Sequence, residues 1–518
     1  MTDMRMRMAV LAVGVLALGI PAAGQTVRTR DGLVSGVKME GVTSFKGIPF
    51  AAPPVGELRW RPPMMVDPWT GVKKADHFSA SCMQTIRKDG LPWTTEFLAQ
   101  EAPSEDCLYL NVWAPAGGGM KRPVLVWVHG GAFVEGSGAA AVYDGEALAK
   151  KGIVVVTINY RLGAFGFMAH PALTAESPQH ASGDYGLMDV VAALKWVKEN
   201  IGAFGGDAAQ VTVAGQSAGA QIVVDLTASP MAKGLFRGAI IESGAFLAPP
   251  MSDTLQDAEE KGVAFAGAAG AQTLKDLRAM DAGALVALYA RAGVHFRPDV
   301  DGWMLMETVS SAFAAGRQND VPTIDGMVAD EGSSSKTYGK TTVAEYAAMA
   351  QKTYGAQVAD YLRLYPGKTD AEAGESMKAS ARDMGLVSMN LWAEKRGQTA
   401  RTAAYTYYFD RAIPWPEHPE YQAFHSGEIP YVLGNLAVLK RPYTSTDSTL
   451  EKVASGYWVN FVRTGDPNGG SLPMWQAVKA GEHRTMELGA VIGPRPVTSG
   501  EKMRFWGAYL LAQSTAGR

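Results

Sequence analysis

Ser217 is the residue of this sequence whose setting most directly suggests covalent chemistry. It lies in the stretch VTVAGQSAGAQIVV, in which a β-branched run meets Gly-Gln-Ser-Ala-Gly and an apolar stretch of helical character follows. A strand that turns sharply into a helix imposes strained backbone angles on the residue at the turn, and small neighbours avoid clashes there. Such a turn lifts the serine hydroxyl out of the sheet, and the helix start offers free backbone N–H groups, that of Ala218 among them, to a developing negative charge. The pattern is short and a plain turn is the alternative, so the rest of a catalytic set must decide.

A histidine is the base that such a serine needs, and the order of residues along the chain narrows the choice. A serine hydroxyl becomes nucleophilic when a base removes its proton and a third group orients that base. In hydrolases built on this turn, the acid and then the histidine follow the serine in the chain. His425, in YQAFHSGEIPYVLGN, fits because it follows an aromatic-rich strand, TAAYTYYFD, and an irregular loop from which it could reach the sheet edge; a structural loop histidine is the alternative. The other histidines come too early in the chain or are typical of surface loops and turns: His77, His129, His170, His180, His295, His418 and His483.

The acid should end a strand between Ser217 and His425. The stretch VPTIDGMVADEG offers three candidates, of which Asp325 lies inside the run and Asp330 and Glu331 lie at its end. Spacing alone does not choose between the last two.

A glycine-rich turn after another strand could supply the oxyanion hole that acyl transfer requires. In WVHGGAF, the residues Gly130, Gly131 and Ala132 carry no large side chain, so their backbone N–H groups can approach a substrate oxygen closely. A tight structural turn is the alternative when this motif is taken alone. Together with the Gly-Gln-Ser-Ala-Gly turn, the motif favours acyl chemistry.

The elements that must position these residues alternate along the chain. Buried strands are predicted in RPVLVWVHGG, GIVVVTINYR, AQVTVAG, FRGAIIESG and VPTIDGMVADEG, and helical spacing is clear in GLMDVVAALKWVKENIGAF and AGAQIVVDLTAS. Near-continuous apolar strands alternating with helices indicate an α/β fold whose central sheet is mostly parallel and covered by helices. In such sheets functional residues gather at the carboxyl edge of the strands, where the candidate turns lie.

Composition is that of an ordinary globular protein. The 518 residues include 48 basic and 51 acidic side chains, a balance that does not favour nucleic acid or a membrane surface as a partner. The length is typical of about three domains. However, the sequence shows no linker, charge block, low-complexity tract or repeat at which to divide it, so we predict one large domain over residues 25–518, with long insertions. The sequence shows no metal-binding cluster or nucleotide-binding loop, and the expected chemistry needs no cofactor.

The first 24 residues are typical of a secretory signal peptide. MTDMRMRM carries Arg5 and Arg7, an uncharged run AVLAVGVLALGI follows, and small residues in PAAGQ end it. A membrane anchor is the alternative, but the run is shorter than the roughly 20 apolar residues that span a bilayer. We therefore predict cleavage after Gly24, no stable membrane insertion afterwards, and a periplasmic or secreted protein.

Cys82 and Cys107 are the only cysteines. In an oxidising compartment an isolated pair is more often bonded than free, so a disulfide is predicted, with two free thiols as the alternative.

Several long motifs in register resemble the type-B carboxylesterases, the family that includes cholinesterases and bacterial para-nitrobenzyl esterases. The resemblance covers nearly all of the chain after the signal segment. It is carried by FKGIPFAAPPVGELRWRPP, SEDCLYLNVWAP, NYRLGAFGFMA, NIGAFGGDAAQVTVAGQSAG, GRQNDVP and WVNFVRTGDPN, which follow one another in the family's order. The resemblance implies the α/β-hydrolase fold and a secreted serine carboxylesterase that acts on small-molecule esters through an acyl-enzyme.

The resemblance also implies a role for each matching residue. Ser217 corresponds to the nucleophile, His425 to the base and Glu331 to the acid, which decides between Glu331 and Asp330. The family's oxyanion hole corresponds to Gly131, Ala132 and Ala218. The remaining matches are a serine that supports the acid and base, and the first disulfide of the family: Ser243, Cys82 and Cys107.

Two positions depart from the family pattern. Gln216 precedes the serine where the family often has glutamate, and Val190 follows the aspartate of GLMD where the family often has glutamine. Gln216 removes a charge near the nucleophile turn.

Two rival functions remain open. Some members of the family are non-catalytic adhesion or binding proteins, although these usually lack a member of the catalytic set. An amidase, a carbamate hydrolase or an acyltransferase would use the same three residues. The sequence does not identify the ester, the chain-length preference or the oligomeric state.

Overall fold

A computed structural model describes residues 25–88, 90–117, 121–244, 246 and 252–516. The predicted signal segment, residues 1–24, lies outside the described residues. In the described part, no helix is both long enough and apolar enough to cross a membrane.

The strands are mostly short outside the central sheet. Their bounds are β1 Thr26–Arg28, β2 Leu33–Ser35, β3 Val37–Met39, β4 Val42–Pro49, β5 Val72–Lys74, β6 Ser81–Cys82, β7 Pro103–Ser104, β8 Tyr109–Pro115, β9 Arg122–Val128, β10 Val154–Ile158, β11 Gly206–Gln216, β12 Gly238–Glu242, β13 Asp253–Thr254, β14 Asp299–Val300, β15 Thr323–Val328, β16 Ala404–Phe409, β17 Arg484–Leu488 and β18 Ile492–Pro496.

The α-helices fill the connections between these strands. Their bounds are α1 Glu146–Lys150, α2 Gly163–Phe167, α3 Pro171–Glu176, α4 Tyr185–Asn200, α5 Ala218–Ala228, α6 Leu255–Ala269, α7 Leu274–Ala279, α8 Ala282–Tyr289, α9 Val309–Ala314, α10 Val343–Tyr354, α11 Val358–Leu364, α12 Asp370–Arg396, α13 Ile429–Leu433, α14 Ser445–Thr464 and α15 Gly500–Ala516. Short 3₁₀ turns occupy Gly56–Leu58, Thr95–Phe97, Ala141–Tyr143, Ile201–Phe204, Pro230–Ala232, Gly355–Gln357, Pro419–Tyr421 and Leu436–Val438.

An 11-stranded sheet dominates the molecule, in the order β18-β17-β16-β15-β12-β11-β9-β10-β8-β4-β3. From β17 to β10, all neighbouring strands run parallel, whereas β18 and the strands from β8 outward pair antiparallel. Flanking helices pack on the parallel part: α5 on β9, β11 and β12, and α14 on β9 and β11. The predicted mostly parallel sheet with flanking helices is therefore confirmed.

The parallel strands form because their sequences are apolar almost without interruption. Every residue of β10 and β12, and the last five residues of β9, are buried. Strands covered on both faces lack the apolar–polar alternation of strands that face solvent on one side. Buried apolar side chains form one contiguous cluster that extends along the chain from Val27 to Leu510.

The long connections fall on the carboxyl side of two strands. Helices α6 to α9 lie between β12 and β15, and α10 to α12 lie between β15 and β16. The large insertions predicted from the sequence are present at these places.

Candidate active site

The turn that carries Ser217 has the sharp geometry predicted from the sequence. β11 ends at Gln216, Ser217 has φ 58° and ψ −123°, and α5 begins at the next residue. A Cβ on Gly219 would lie 2.2 Å from the carbonyl oxygen of Val128, and one on Gly215 would lie 2.5 Å from the Gly219 carbonyl. The two flanking glycines are thus required because the turn and the end of β9 approach one another too closely for a side chain.

The second turn, residues 130–136, follows β9 and lies against the serine turn. A Cβ on Gly130 would lie 2.7 Å from the carbonyl oxygen of Gln216. Gly131 has φ +114°, and a Cβ there would lie 2.0 Å from the backbone oxygen of Glu135. The side-chain amide of Gln84 fixes the far end of the turn, since it donates to the Gly136 carbonyl and accepts from the Gly136 N–H, both at 2.8 Å.

Three backbone N–H groups predicted for the oxyanion hole belong to these two turns. Gly131 and Ala132 line the same cavity as Ser217, and Ala218 is the first residue of α5. In the described part of the chain, none of the three N–H groups donates a backbone hydrogen bond. They remain available to an acceptor in the cavity, such as a carbonyl oxygen that gains negative charge.

The candidate base and acid meet although 94 residues separate them. His425 Nδ1 lies in a short hydrogen bond with Glu331 Oε2. The other carboxylate oxygen, Oε1, accepts from the Ser243 hydroxyl at 2.7 Å and from the Val328 N–H at 3.0 Å. The structure thus brings Ser243, Glu331 and His425 together, with Glu331 between the other two.

Asp330, the neighbouring candidate acid, points to other partners. Its carboxylate accepts from the Tyr338 hydroxyl at 2.9 Å, from the Arg382 guanidinium at 3.0 Å and from the Ala423 N–H at 3.3 Å. Asp330 therefore holds the segment before His425 through a hydrogen bond from Ala423, and it does not contact the imidazole. The third candidate, Asp325, is fully buried inside β15.

The electrostatics of the pair favour its charged form. Burial would lower the pKa of His425, but the charge and hydrogen bond of Glu331 raise it above its ordinary value, and Glu428 adds to the rise. Burial would raise the pKa of Glu331, but His425, the Ser243 hydroxyl and the Val328 N–H hold it below the usual value. An imidazolium at this position is therefore stabilised.

Two further glutamates lie buried beside this pair, and sequence reasoning missed both. Burial raises the pKa of Glu242 to about 8, and its Oε1 accepts from the indole N–H of Trp458 at 2.9 Å. Burial, and then the charges of Glu242 and Glu331, raise the pKa of Glu428 well above its usual value. Burial thus favours the neutral form of both carboxyl groups. Their only sequence signal is position, since each stands within three residues of a candidate site residue in ESG and FHSGE.

The Nε2 atom of His425 faces Gln216. The side-chain nitrogen of Gln216 lies 3.2 Å from Nε2, and Gln216 Oε1 accepts from the Ser426 hydroxyl at 3.0 Å. Ser217 Oγ has no hydrogen-bond partner among the described residues. Hydrogen bonds between a nucleophile and its base are often long without substrate, and they shorten when the substrate binds.

A cavity of about 260 Å³ opens over Ser217 and His425. The aromatic side chains of Trp93 and Phe97 form part of its wall. A second cavity of about 300 Å³ adjoins it and shares Gln84, Thr85 and the ion pair between Arg87 and Glu135. The space beside the serine is of a size that suits a small molecule.

Cys82 and Cys107 form a disulfide, as predicted. Short strands β6 and β7 pair next to it, and the loop that the bond closes includes Gln84, Arg87, Trp93 and Phe97. The disulfide therefore restrains one wall of the cavity. In the described part of the chain, no group of three or more His, Cys, Asp or Glu side chains could hold a metal ion.

Comparison with known proteins identifies the family of the chain. The model of the carboxylesterase family matches residues 23–506. A fumonisin B1 esterase from Sphingopyxis macrogoltabida is 39% identical over 490 residues, which cover 89% of this chain and 86% of that protein.

Two other relatives are similar over a comparable length. The para-nitrobenzyl esterase of Bacillus subtilis is 35% identical, with 86% of this chain and 91% of that protein covered. The human cocaine esterase is 31% identical, with 97% of this chain and 95% of that protein covered.

Proposed function

The chain belongs to the carboxylesterase family, has the α/β-hydrolase fold and is a carboxylic ester hydrolase; on that premise we propose that it cleaves small-molecule esters through an acyl-enzyme on Ser217. His425 acts as the general base and acid, and Glu331 orients it. The N–H groups of Gly131, Ala132 and Ala218 form the oxyanion hole.

The first half of the cycle acylates the enzyme. The substrate carbonyl enters the cavity, and His425 Nε2 takes the Ser217 proton as Oγ attacks the carbonyl carbon. The negative charge that develops on the carbonyl oxygen is stabilised by the three N–H groups, and one such donor typically contributes about 3–4 kcal/mol. The imidazolium then protonates the leaving alkoxide, and the alcohol departs.

The second half repeats these steps with water in place of serine. His425 removes a proton from water, the hydroxide attacks the acyl carbon, and the imidazolium returns a proton to Ser217 Oγ. Glu331 keeps Nδ1 protonated throughout, so that Nε2 carries the lone pair. The raised pKa of His425 stabilises the imidazolium that forms in both halves.

The observation that carries this proposal is the convergence of three separate segments on one cavity. The serine turn, the turn at residues 130–136 and the loop of His425 all contribute to its wall, with Glu331 hydrogen-bonded to the imidazole from behind. An adhesion protein has no need of a serine held at a strained turn beside an oriented imidazole.

The proposal includes export and a single domain over residues 25–518. Export is supported by the basic and apolar pattern of residues 1–24 and by the disulfide. Amino-terminal sequencing of the protein from the periplasm and culture medium tests it, because export with cleavage after Gly24 yields a chain that begins at Gln25. A full-length chain retained in the cytoplasm contradicts export.

Substitution Ser217→Ala tests the catalytic role. We expect hydrolysis of p-nitrophenyl butyrate to fall by at least about 10⁴-fold, because the substitution removes the oxygen that forms the acyl-enzyme. The far-UV spectrum and the unfolding temperature should stay as in the unchanged protein, and a fluorophosphonate probe should label only the unchanged protein. Hydrolysis retained within about tenfold would refute the assignment of Ser217. A parallel assay on p-nitrobutyranilide distinguishes an esterase from an amidase.

A further inference from the structure

A chain of hydrogen bonds ends on the nitrogen that the proposed mechanism uses as a base. The indole N–H of Trp93 donates to Ser426 Oγ at 3.3 Å and to the His425 carbonyl at 3.1 Å. Ser426 Oγ donates to Gln216 Oε1 at 3.0 Å, and Gln216 Nε2 lies 3.2 Å from His425 Nε2.

The donors and acceptors of this chain fix its direction. Since Ser426 Oγ accepts from Trp93, its own proton is free for the Gln216 oxygen, which places the amide nitrogen towards the imidazole. The Glu331 carboxylate accepts a hydrogen bond from the Nδ1–H of His425. The neutral imidazole therefore carries its proton on Nδ1 and a lone pair on Nε2. The Gln216 N–H therefore donates to that lone pair, and every link is satisfied with one orientation of each group.

We propose that Gln216 is a positioning residue that keeps His425 Nε2 unprotonated and in place, and that Ser426 and Trp93 hold the Gln216 amide in the orientation this requires. This inference rests on the proposed role of His425 as the base. A hydrogen bond donated to the lone pair is possible only while Nε2 is unprotonated, so it favours the neutral imidazole. When substrate arrives, Nε2 exchanges the Gln216 amide for the Ser217 hydroxyl.

The neutrality of residue 216 matters because carboxyl groups already surround the imidazole. Glu331 and Glu428 both act on His425 and favour its protonation, and the charge of Glu242 acts in turn on Glu428. Across the cavity, Arg87 and Glu135 offset one another as an ion pair. A carboxylate in place of Gln216 would accept a hydrogen bond from protonated Nε2. It would also add to the charges that stabilise the imidazolium.

The experiment is the pH dependence of kcat/KM for p-nitrophenyl butyrate in variants of the full-length chain, from roughly pH 5 to 9, where histidine titrates. For Gln216→Glu, we expect the acidic limb to move to higher pH by about one unit or more, so that activity at the low end falls at least about tenfold further than in the unchanged protein. Gln216→Met removes the donor without adding charge. Its acidic limb should move to higher pH by about half a unit, which lowers the activity on that limb by about threefold. Gln351→Glu adds the same charge on the exposed face of α10, at a residue that lines neither cavity, and should leave the acidic limb unchanged.

A second substitution tests the chain of hydrogen bonds that orients the Gln216 amide. Ser426→Ala removes the donor to the Gln216 oxygen, so the amide can turn over, and the limb should shift in the same direction as in Gln216→Met. If Gln216→Glu and Gln216→Met both keep the limb of the unchanged protein, the inference is wrong, whatever their effect on KM. Should Ser217→Ala retain hydrolysis, the proposed function fails instead, and the two failures are distinguishable.

Discussion

Two carboxylates of this molecule each bind a planar side chain through its nitrogen atoms, and their settings differ. Asp189 in α4 binds the Arg161 guanidinium through two hydrogen bonds of 2.8 and 2.7 Å, with the side chains 0% and 4% exposed. Glu331 holds His425 through one ring nitrogen, and the side chains are 27% and 22% exposed. The first pair is buried in the protein, whereas the second borders a cavity.

The two pairs differ in the side chain that the carboxylate binds and in whether that side chain can exchange a proton. Arginine stays charged at any working pH, so Arg161 cannot exchange a proton. Its guanidinium also donates to the Arg61 carbonyl at 2.8 Å, in addition to Asp189. Histidine titrates near neutral pH, and its second nitrogen faces the cavity. A permanent ion pair stabilises the fold, whereas a titratable pair whose second ring nitrogen contacts only a neutral side chain, Gln216, can transfer protons.

Glu331→Gln breaks the site pair, and its effect on rate should exceed that of the other substitutions considered below. The amide can no longer hold Nδ1 protonated, so we expect kcat to fall by roughly 10³- to 10⁴-fold, while the free energy of unfolding changes by only about 1 kcal/mol. Steady-state kinetics and urea unfolding measure the two quantities. Asp330→Asn is the matched control at the adjacent residue, and its kcat should fall by no more than about tenfold, since Asp330 does not contact the imidazole. Equal losses in the two variants would contradict the separate roles of Glu331 and Asp330.

Arg161→Met breaks the core pair and should reverse the outcome. It leaves Asp189 buried without its cation, so the free energy of unfolding should fall by about 3–5 kcal/mol while kcat per folded molecule stays unchanged. Burial already raises the pKa of Asp189 although Arg161 opposes the rise, which indicates a large desolvation cost. The double variant Arg161→Met/Asp189→Leu should therefore recover most of the lost stability. A single variant as stable as the unchanged protein would show that the pair does not hold the fold.

Ser243→Ala weakens the site pair without breaking it. It removes one of the two hydrogen bonds to Glu331 Oε1 and leaves that of Val328. We expect kcat/KM to fall about tenfold, because a hydrogen bond to a charged group contributes about 1.5–3 kcal/mol and part of it should reach the transition state. A loss as large as that of Glu331→Gln would mean that Ser243 takes part in the chemistry directly.

The pH dependence of stability should show a smaller effect of the site pair. The lowered pKa of Glu331 stabilises the fold above its ordinary value of 4.5, and this contribution is lost as the pH falls through the folded value. The raised pKa of His425 stabilises the fold below its ordinary value of 6.5, and this contribution is lost as the pH rises through the folded value. The stability difference between the unchanged protein and Glu331→Gln should thus be greatest between those two values. Above the ordinary value of His425, activity should follow the opposite trend to stability, because catalysis needs the neutral imidazole whereas the stabilising contribution of His425 belongs to its protonated form.

The sequence predicted those features that depend on local pattern. Apolar strands, helical spacing and the two glycine turns are local, and the structure has them where they were expected. Ser217 and its glycine neighbours were recognisable because a close backbone approach leaves few residue types available.

Features that depend on contacts between distant segments could not be read from a pattern. Asp330 and Glu331 stand side by side, and only the direction of each side chain assigns one to Arg382 and the other to His425. The contact of Gln216 with His425 joins residues 209 apart, so the sequence revealed the substitution at 216 without its consequence. The antiparallel strands at the sheet edges were likewise missed, because the direction of a strand is set by the strands with which it pairs and not by its own sequence.

An acyl-enzyme on Ser217 underlies every step proposed for this protein, and mass spectrometry of a rapidly quenched reaction detects it directly. Protein mixed with excess p-nitrophenyl butyrate and quenched with acid within the first turnovers should carry one butyryl group, on the peptide that contains Ser217. The adduct should be absent from Ser217→Ala, and once formed it should persist longer when the mixture is acidified, because deacylation needs neutral His425. A butyryl group on another residue, or rapid turnover by Ser217→Ala, would contradict the proposed mechanism.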